Sequence, residues 1–324
     1  MTDILITEFL DEDSVAALKA DYAVHYDPGL CERPDEIAAL APGVPALIVR
    51  NRTQVRGSVL AAFDRLKVIG RLGVGLDNID VPAAEAMGIE VCPATGANAA
   101  SVAEYVVAAC LITLRNIWQS SEAVLAGKWP RNQLMFNEVQ GKRLGVIGFG
   151  SIGREVARRA LALGMEVVAT DQPGADPARF TAAGVRQVDR ATLLATSDVV
   201  SIHAPSMPET YRLIDAAALA AMKPGAVLIN SARGGMVDEA ALVAALTSGR
   251  LGAAVLDVFE DEPLKAGSNL VGVPNLWLTP HVSGADKSDA FPPRMADLFA
   301  QNVTRYLEGR PLLNEITVQE WREV

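Results

Sequence analysis

The sequence is poor in the residues from which several kinds of functional site are built. Its 324 residues include only three cysteines (Cys31, Cys92 and Cys110), which are widely spaced and form no Cys-x-x-Cys pair. This pattern matches neither a disulfide framework nor a zinc site. We therefore expect reduced thiols that serve packing, and no bound metal.

Long apolar runs and an excess of positive charge are also missing. The longest apolar stretch, 106–114, is about half as long as a bilayer requires, and the start lacks the basic segment of a secretory signal. We expect a cytoplasmic protein without membrane contact. Nucleic acid binding needs clustered Lys and Arg. Because the net charge is −10, we expect no nucleic acid partner.

What the sequence does contain is a high apolar content and a regular alternation of short strands and helices. Half of the residues are hydrophobic, and the length exceeds what one core usually serves, so we expect two domains. The alternation predicts parallel sheets covered by helices. The predicted strands are 4–7, 46–49, 68–72, 89–92, 144–147, 166–170, 199–203, 226–230, 253–256 and 276–278. Helices are predicted near 14–19 and 59–63, over 99–115, and over 294–307, the last returning to the first domain to leave a cleft.

A glycine-rich turn in the middle of the chain is the most informative local pattern. The sequence Gly-Phe-Gly-Ser-Ile-Gly at 148–153 follows an apolar strand and precedes a stretch with helical spacing. In a dinucleotide-binding turn, Gly148 allows a sharp reversal, Gly150 leaves room for a pyrophosphate, and Gly153 lets helix and strand pack closely. Free N–H groups at the helix start would face the phosphates. A plain structural turn is the alternative.

An acidic residue ends the next predicted strand. Asp171 lies 23 positions after Gly148, a spacing typical of the carboxylate that accepts the ribose hydroxyls of an adenosine. It would repel a 2′-phosphate, and Gln172 and Pro173 provide no adjacent cation, so NAD is favoured over NADP. The alternative is that Asp171 only ends the strand as a turn residue.

Three later strands end in ionisable residues. Arg233 follows the strand at 226–230, Glu262 lies after 253–256, and His281 follows 276–278. Open α/β sheets place their ligands at these carboxyl ends. An Arg, a Glu and a His that converge beside a nicotinamide suit hydride transfer at a carbinol.

These ordered motifs resemble the D-isomer-specific 2-hydroxyacid dehydrogenase family over nearly the whole chain. The motifs are GVGLDNID at 73–80, Asn98 with VAE at 102–104, the glycine turn, HAP at 203–205, SARG at 231–234, DVF at 257–259 with EP at 262–263, and PH at 280–281. The resemblance implies an NAD-dependent oxidoreductase that interconverts a small D-2-hydroxy acid and its 2-keto acid. It implies an α/β fold of two doubly wound parallel-sheet domains: a flavodoxin-like substrate domain at 1–98 plus 291–324, and a Rossmann NAD-binding domain inserted over 99–290.

The resemblance assigns the catalysis to Arg233, Glu262 and His281. A guanidinium suits the substrate carboxylate and carbonyl oxygen, and imidazole titrates near neutrality, as a general acid in reduction and base in oxidation requires. Glu262 should hydrogen-bond the other ring nitrogen and favour the imidazolium. Glu260 and Asp261 compete for this role, but Glu262 precedes proline as in the family pattern.

Further positions are implied by the resemblance as cofactor or substrate ligands. Asp257 should bind the nicotinamide carboxamide, while Ser151 and Ile152 should present main-chain amides to the pyrophosphate. The other cofactor positions are Gly148, Gly150, Gly153, Asp171, Ala204, Ser231, Ala232, Arg233, His281 and Gly284. The substrate positions are Arg52, Val74, Gly75, Asn98 and Arg233, with main-chain amides at 74–75 as a second carboxylate clamp or, alternatively, an ordinary turn. His25 and His203 are expected to be structural.

The particular substrate depends on residues outside these motifs. A cation in the segment 50–53 could receive a second anionic group such as phosphate, sulfonate or carboxylate, as in phosphoglycerate or sulfolactate, and Arg52 discriminates better than Arg50. A solvated loop charge is the alternative for Arg52. The segments 6–12 and 129–133 resemble a subgroup that includes sulfolactate dehydrogenases. Glu262 separates the chain from formate dehydrogenases, which carry an amide there.

Two further expectations come from the resemblance. The family includes corepressors that sense NAD(H), so a non-catalytic scaffold is an alternative function. Relatives pair through their nucleotide domains, which implies a homodimer with residues 102–127 at the interface. Trp118, Trp129 and Trp277 either serve packing in a core or interface, or reach a substrate pocket.

Overall fold

Two parallel sheets form the framework of the part of the chain that the structure describes. The structure is a computed structural model that describes residues 2–73, 75–116, 121–284, 301–302, 305–306 and 310–313. The chain divides into two units, Met1–Asn98 with Asp286–Val324, and Ala99–Ala285. Val74 and Trp118 lie outside the described residues, as do most of the predicted helix at 294–307 and the predicted boundary after 290.

The first unit contains a five-stranded parallel sheet. Its strands are β1 (Ile4–Ile6), β2 (Val24–Tyr26), β3 (Ala46–Val49), β4 (Val68–Arg71) and β5 (Glu90–Pro93), and its helices are α1 (Glu12–Asp21), α2 (Pro34–Leu40), α3 (Gly57–Ala61) and α4 (Val81–Ala86). The spatial order is β2-β1-β3-β4-β5. Alternate strand residues enter two separate apolar clusters: Leu5 and Leu47 pack in one, and Ile6 and Ile48 in the other. Both faces of the sheet are therefore buried, as in a doubly wound fold.

The second unit contains a seven-stranded parallel sheet. Its strands are β6 (Arg143–Ile147), β7 (Glu166–Thr170), β8 (Arg186–Gln187), β9 (Val199–Ile202), β10 (Val227–Asn230), β11 (Ala253–Leu256) and β12 (Leu276–Leu278). Its helices are α5 (Ala99–Arg115), α6 (Ser121–Leu125), α7 (Ser151–Ala162), α8 (Pro177–Ala182), α9 (Arg190–Thr196), α10 (Ala216–Ala221) and α11 (Glu239–Thr247). The order β12-β11-β10-β9-β6-β7-β8 is that of a dinucleotide-binding fold, with the strand order reversing between β6 and β9. The predicted pair of doubly wound α/β sheets is confirmed.

Sequence patterns missed two strands, β2 and β8. Both are edge strands of two or three residues, and their side chains are half-buried in β2 and exposed in β8. An edge strand has one paired side and needs no continuous apolar run, so its periodicity is weak.

Helix α7 differs from its neighbours at its N-terminus. Aspartate side chains cap several other helices by accepting a first-turn N–H: Asp11, Asp80, Asp176, Asp189, Asp215 and Asp238. The residue before α7 is Gly150, which has no side chain to accept such a bond. The first-turn amides of α7 therefore remain available to an anion.

Two kinds of feature were not found in the described ranges. None of their helices is both long enough and apolar enough to span a bilayer. Nor do those residues include three or more His, Cys, Asp or Glu side chains grouped as metal ligands.

Candidate active site

The three glycines of the turn at 148–153 meet different surroundings. A Cβ on Gly148, whose φ is +91°, would lie 2.5 Å from the Ala204 nitrogen, and one on Gly153 would lie 2.2 Å from the Gly148 oxygen. These two positions require glycine because backbone approaches backbone. A Cβ on Gly150 would have no neighbour within 4 Å. Close backbone packing thus explains the glycines at 148 and 153. The space around Gly150, at the start of α7, is open.

Two observations test whether these residues suit a dinucleotide. The space at Gly150 faces the uncapped start of α7, where Ser151 and Ile152 form the first turn and a pyrophosphate would find N–H donors. The Ser231 hydroxyl oxygen is buried and has no hydrogen-bond partner in the described chain. A buried hydroxyl normally has a partner, so its position after β10 suits a polar ligand group. The residues present fit the cofactor.

Asp171 is placed directly beside the glycine turn. Its Oδ2 accepts the backbone N–H of Phe149 at 3.1 Å, and its Oδ1 accepts that of Gln172 at 2.9 Å. The fully buried Phe149 ring stacks on Phe180 with ring centroids 4.6 Å apart, which anchors the turn. Arg179 donates to the Phe149 carbonyl at 3.0 Å. The residues directly after Asp171 do not indicate this cation, because it belongs to α8.

His281 and Glu262 form a hydrogen-bonded pair. The His281 Nδ1 lies 2.8 Å from the Glu262 Oε2, and the Glu262 Oε1 accepts the backbone N–H of Phe259 at 3.1 Å. One carboxylate oxygen is thus held by the main chain and the other by the imidazole. Contact through Nδ1 leaves Nε2 as the ring nitrogen for proton exchange with a substrate.

The two acidic residues that compete with Glu262 have other partners. Glu260 accepts a hydrogen bond from the Tyr211 hydroxyl at 3.1 Å, and Asp261 pairs with Lys265 at 3.1 Å. Both are exposed. Of these three carboxylates, the structure places Glu262 against the histidine.

Asp257 holds the loop that carries His281 in place. This role could not be predicted from the sequence. The residue is fully buried, and its carboxylate accepts the Thr279 hydroxyl at 2.6 Å and the N–H groups of Val282 and Ser283 at 2.9 and 2.8 Å. Its carbonyl accepts the His281 N–H at 2.8 Å. His281 has a φ of +55°, a conformation that costs an L-residue about 1–2 kcal/mol. The hydrogen bonds of the buried Asp257 carboxylate offset this conformational cost. The expected contact of Asp257 with a nicotinamide stays a prediction.

The loop that carries Arg233 is held by a buried side chain and packs against a neighbouring loop. The buried Asn230 side chain donates to the Arg233 carbonyl at 2.8 Å and accepts the Ala232 N–H at 3.1 Å. A Cβ on Gly234 would lie 1.8 Å from the Phe259 carbonyl carbon, so the loops after β10 and β11 are in contact. Arg233 follows β10, Glu262 follows β11 and His281 follows β12. The structure thus brings the loops of all three predicted catalytic residues to the carboxyl ends of adjacent strands.

His203 is a neutral, structural histidine. Its Nε2 lies 2.8 Å from the buried Ser201 hydroxyl, and its backbone N–H donates to the Ile147 carbonyl at 2.7 Å, which joins the ends of β9 and β6. Desolvation lowers the pKa of His203 to about 3. A histidine that stays uncharged at neutral pH does not serve as the proton donor.

The remaining predicted positions lie in both units. Ala204 lies against Gly148, and Gly284 follows the loop pinned by Asp257. In the first unit, Gly75 follows β4, and the Asn98 Oδ1 is buried with no hydrogen-bond partner in the described chain. Arg52 is exposed and pairs with Glu32 at 2.5 Å.

Comparisons with known proteins point to one family. A family model described as D-isomer specific 2-hydroxyacid dehydrogenase, NAD binding domain, matches residues 107–283. The chain is 49% identical to an (S)-sulfolactate dehydrogenase of Chromohalobacter salexigens, over 96% of this chain and 100% of that protein. It is 38% identical to a D-3-phosphoglycerate dehydrogenase of Archaeoglobus fulgidus, over 97% of this chain but only 59% of that longer protein. The solved TT0316 protein from Thermus thermophilus superimposes with a TM-score of 0.85 at 34% identity, covering 97% of this chain and 100% of that one.

Proposed function

Because the chain belongs to the D-isomer-specific 2-hydroxyacid dehydrogenase family, we propose that its substrate is a small 2-hydroxy acid with a second anionic group, of the sulfolactate type. The protein is an NAD-dependent oxidoreductase that interconverts a 2-hydroxy acid and its 2-keto acid. This established activity takes precedence over a non-catalytic, NAD(H)-sensing scaffold. The finer assignments to its residues are proposals.

The cofactor is held by the second unit in this proposal. Bound NAD supplies or accepts the hydride. The first-turn amides of Ser151 and Ile152 bind the pyrophosphate, and Asp171 accepts the adenosine ribose hydroxyls. The Ser231 hydroxyl, which has no hydrogen-bond partner in the described chain, binds at the nicotinamide end. The cofactor positions Gly284, Ala204, Ala232 and Asp257 keep the roles expected above.

The proton is moved by His281 and the substrate is oriented by Arg233. In reduction, the imidazolium Nε2 of His281 donates its proton to the carbonyl oxygen, and in oxidation the neutral ring removes the hydroxyl proton. Glu262, whose Oε2 lies 2.8 Å from Nδ1, holds the ring in its orientation. Arg233 binds the substrate carboxylate as a planar donor fork. The single observation that carries this assignment is the His281–Glu262 pair beside the packed Arg233 loop.

The second anionic group is assigned to Arg52. Its segment follows β3 in the first unit, which we propose as the substrate domain, with Gly75 and Asn98 as further substrate ligands. Support comes from the exposed guanidinium and from the 49% identity to a sulfolactate dehydrogenase along that protein's whole length. The Arg52–Glu32 ion pair lies in solvent, where such pairs contribute little to stability, so a bound sulfonate can replace Glu32.

A substrate panel tests this function. Purified protein is mixed with NADH and glyoxylate, pyruvate, hydroxypyruvate, 2-ketoglutarate or sulfopyruvate, and NADH absorbance is followed. We expect the highest kcat/KM for sulfopyruvate, and an Arg52→Ala variant that loses about tenfold on sulfopyruvate with little loss on pyruvate. Equal use of all five acids would contradict the substrate proposal. NADH binding without any turnover would favour the scaffold.

Assembly and location are also proposals. Three large apolar side chains of the second unit are exposed: Leu125, Trp129 and Met135, with exposed fractions of 87%, 80% and 75%. A second copy that covers these side chains removes them from water, which supports a homodimer. Cytoplasmic location is consistent with the free thiols of Cys31 and Cys110, and burial raises the pKa of the Cys110 thiol to about 12.

A further inference from the structure

A buried carboxylate in the first unit lies beneath the segment that carries Arg52. Glu8 follows β1, is 3% exposed, and takes no part in the proton or hydride transfer. Its Oε1 accepts the backbone N–H groups of Arg50 and Thr53, both at 2.9 Å. The N–H of Arg52 points at both oxygens, at 3.2 and 3.1 Å, and that of Asn51 at Oε2, at 3.3 Å. Four consecutive amides therefore converge on one side chain.

Further buried contacts hold the end of this segment. The Thr53 hydroxyl oxygen lies 2.8 Å from that of Thr7, and the Asn78 side-chain amide donates to the Thr53 carbonyl at 2.8 Å. Thr7, Thr53 and Asn78 are each at most 3% exposed. Burial raises the pKa of Glu8, but the N–H donors of Thr53, Arg50 and Arg52 lower it more, so the pKa lies below its usual value. The carboxylate is ionised at neutral pH, and the amides form a filled anion nest.

The position of this nest in the sheet is where such folds bind ligands. The chain passes from β1 to β2 on one side and returns to β3 on the other, so the strand order of the first sheet reverses between β1 and β3. Open α/β sheets bind ligands outside the carboxyl ends of the strands at this switch point. Glu8 follows β1 and the segment 50–53 follows β3. The segment is thus both rigid at its base and located at the binding edge of its own sheet.

We propose that Glu8 is a positioning residue that fixes the backbone beneath Arg52 and thereby sets the preference for substrates with a second anionic group. The inference rests on the proposed function of Arg52. Arginine has a long side chain, and its affinity for an anion falls if its backbone anchor must first be ordered. Glu8 already orders this backbone in the folded protein, while Arg52 makes the contact with the substrate.

Variants at Glu8 test this role against a general loss of structure. Glu8→Gln keeps the shape but loses the charge, Glu8→Asp keeps the charge but shortens the side chain, and Glu85→Gln makes the same change as the first at an exposed position of α4. For each, kcat and KM are measured with NADH for sulfopyruvate and pyruvate, NADH affinity by fluorescence, and folding by circular dichroism. Arg52→Ala and the Glu8→Gln/Arg52→Ala double variant complete a cycle.

We expect Glu8→Gln to raise the KM for sulfopyruvate about tenfold, with pyruvate kinetics and NADH affinity changed less than about twofold. Glu8→Asp, the milder variant, should show the same selectivity in part, and Glu85→Gln none. In the double variant the Glu8 change should add no further loss, because it acts through Arg52. Equal losses on both substrates, or full additivity, would overturn the role of Glu8. A wild type without preference for sulfopyruvate would instead contradict the proposed function, and the inference with it.

Discussion

At the scale of single residues, the histidine proposed to transfer the proton is held in place by neighbouring carboxylates. Glu262 is anchored by the Phe259 amide and in turn orients His281, while Asp257 holds the same histidine through the main chain around it. Each anchor is a carboxylate that accepts backbone N–H groups. These bonds fix the position of each carboxylate, and through it the position of His281.

The Glu262→Gln variant should shift the proton chemistry. An amide cannot favour the imidazolium as a carboxylate does, so the pH–rate profile for keto-acid reduction should move to lower pH. At neutral pH, we expect kcat/KM to fall by about ten- to a hundredfold, less than in His281→Ala. Steady-state rates between pH 5 and 9 check this. An unmoved profile with a reduced rate would assign Glu262 a purely structural role.

The buried Glu8 should make folding stability depend on pH. The folded-state pKa of Glu8 lies below its ordinary value of 4.5, so its contribution is fully present above pH 4.5 and is lost as the pH falls through the folded-state value. The free energy of unfolding of the wild type should therefore exceed that of Glu8→Gln most near neutrality, and the gap should narrow below pH 4.5. Urea unfolding at pH 7 and at acid pH measures both. A gap that stays constant on acidification would rule out the ionised carboxylate as its source.

At the scale of elements, the positions proposed for function lie where strands end and helices begin. The glycine turn between β6 and α7, and the loops after β10, β11 and β12, lie at the carboxyl edge of one sheet. The apolar runs of these strands and the spacing of the turn made most of this predictable. The short edge strands β2 and β8 were not, because their few side chains carry no clear periodicity.

Alanine substitutions in the glycine turn should separate binding from folding. A Cβ at 150 meets no protein atom within 4 Å and the backbone φ there is −74°, so Gly150→Ala should fold normally but raise the Kd for NADH about tenfold or more. In Gly153→Ala, the new Cβ would lie 2.2 Å from a carbonyl oxygen, so this variant should unfold at lower temperature even without cofactor. Calorimetry with and without NADH distinguishes them. A destabilised Gly150→Ala with normal NADH affinity would contradict the assignment.

At the scale of the whole molecule, the proposed homodimer rests on apolar side chains that the single chain leaves exposed. Leu125 and Trp129 are mostly exposed, although burial of such side chains normally stabilises a protein by about 1.5–3 kcal/mol each. A charge placed there should therefore weaken association without affecting the core.

The Leu125→Glu variant should shift the enzyme from dimer to monomer. Sedimentation velocity at micromolar concentration measures the change, with circular dichroism to show that the fold is kept. The matched control is Leu163→Glu. Leu163 is a partly exposed leucine that caps the C-terminus of α7, and its substitution should leave the dimer intact. A wild type that sediments as a monomer would refute the dimer, and an unaffected Leu125→Glu would move the interface elsewhere.

The sequence by itself determined the fold class and the binding of NAD, because strand and helix periodicity and glycine spacing are local properties of the chain. Only the tertiary structure decided which groups meet. It placed Glu262, rather than Glu260 or Asp261, against His281, and it set Asp257 under the histidine loop. It also brought Glu8 to four amides more than 40 positions away. Such contacts depend on strand order, which joins distant segments and leaves no periodic trace in the sequence.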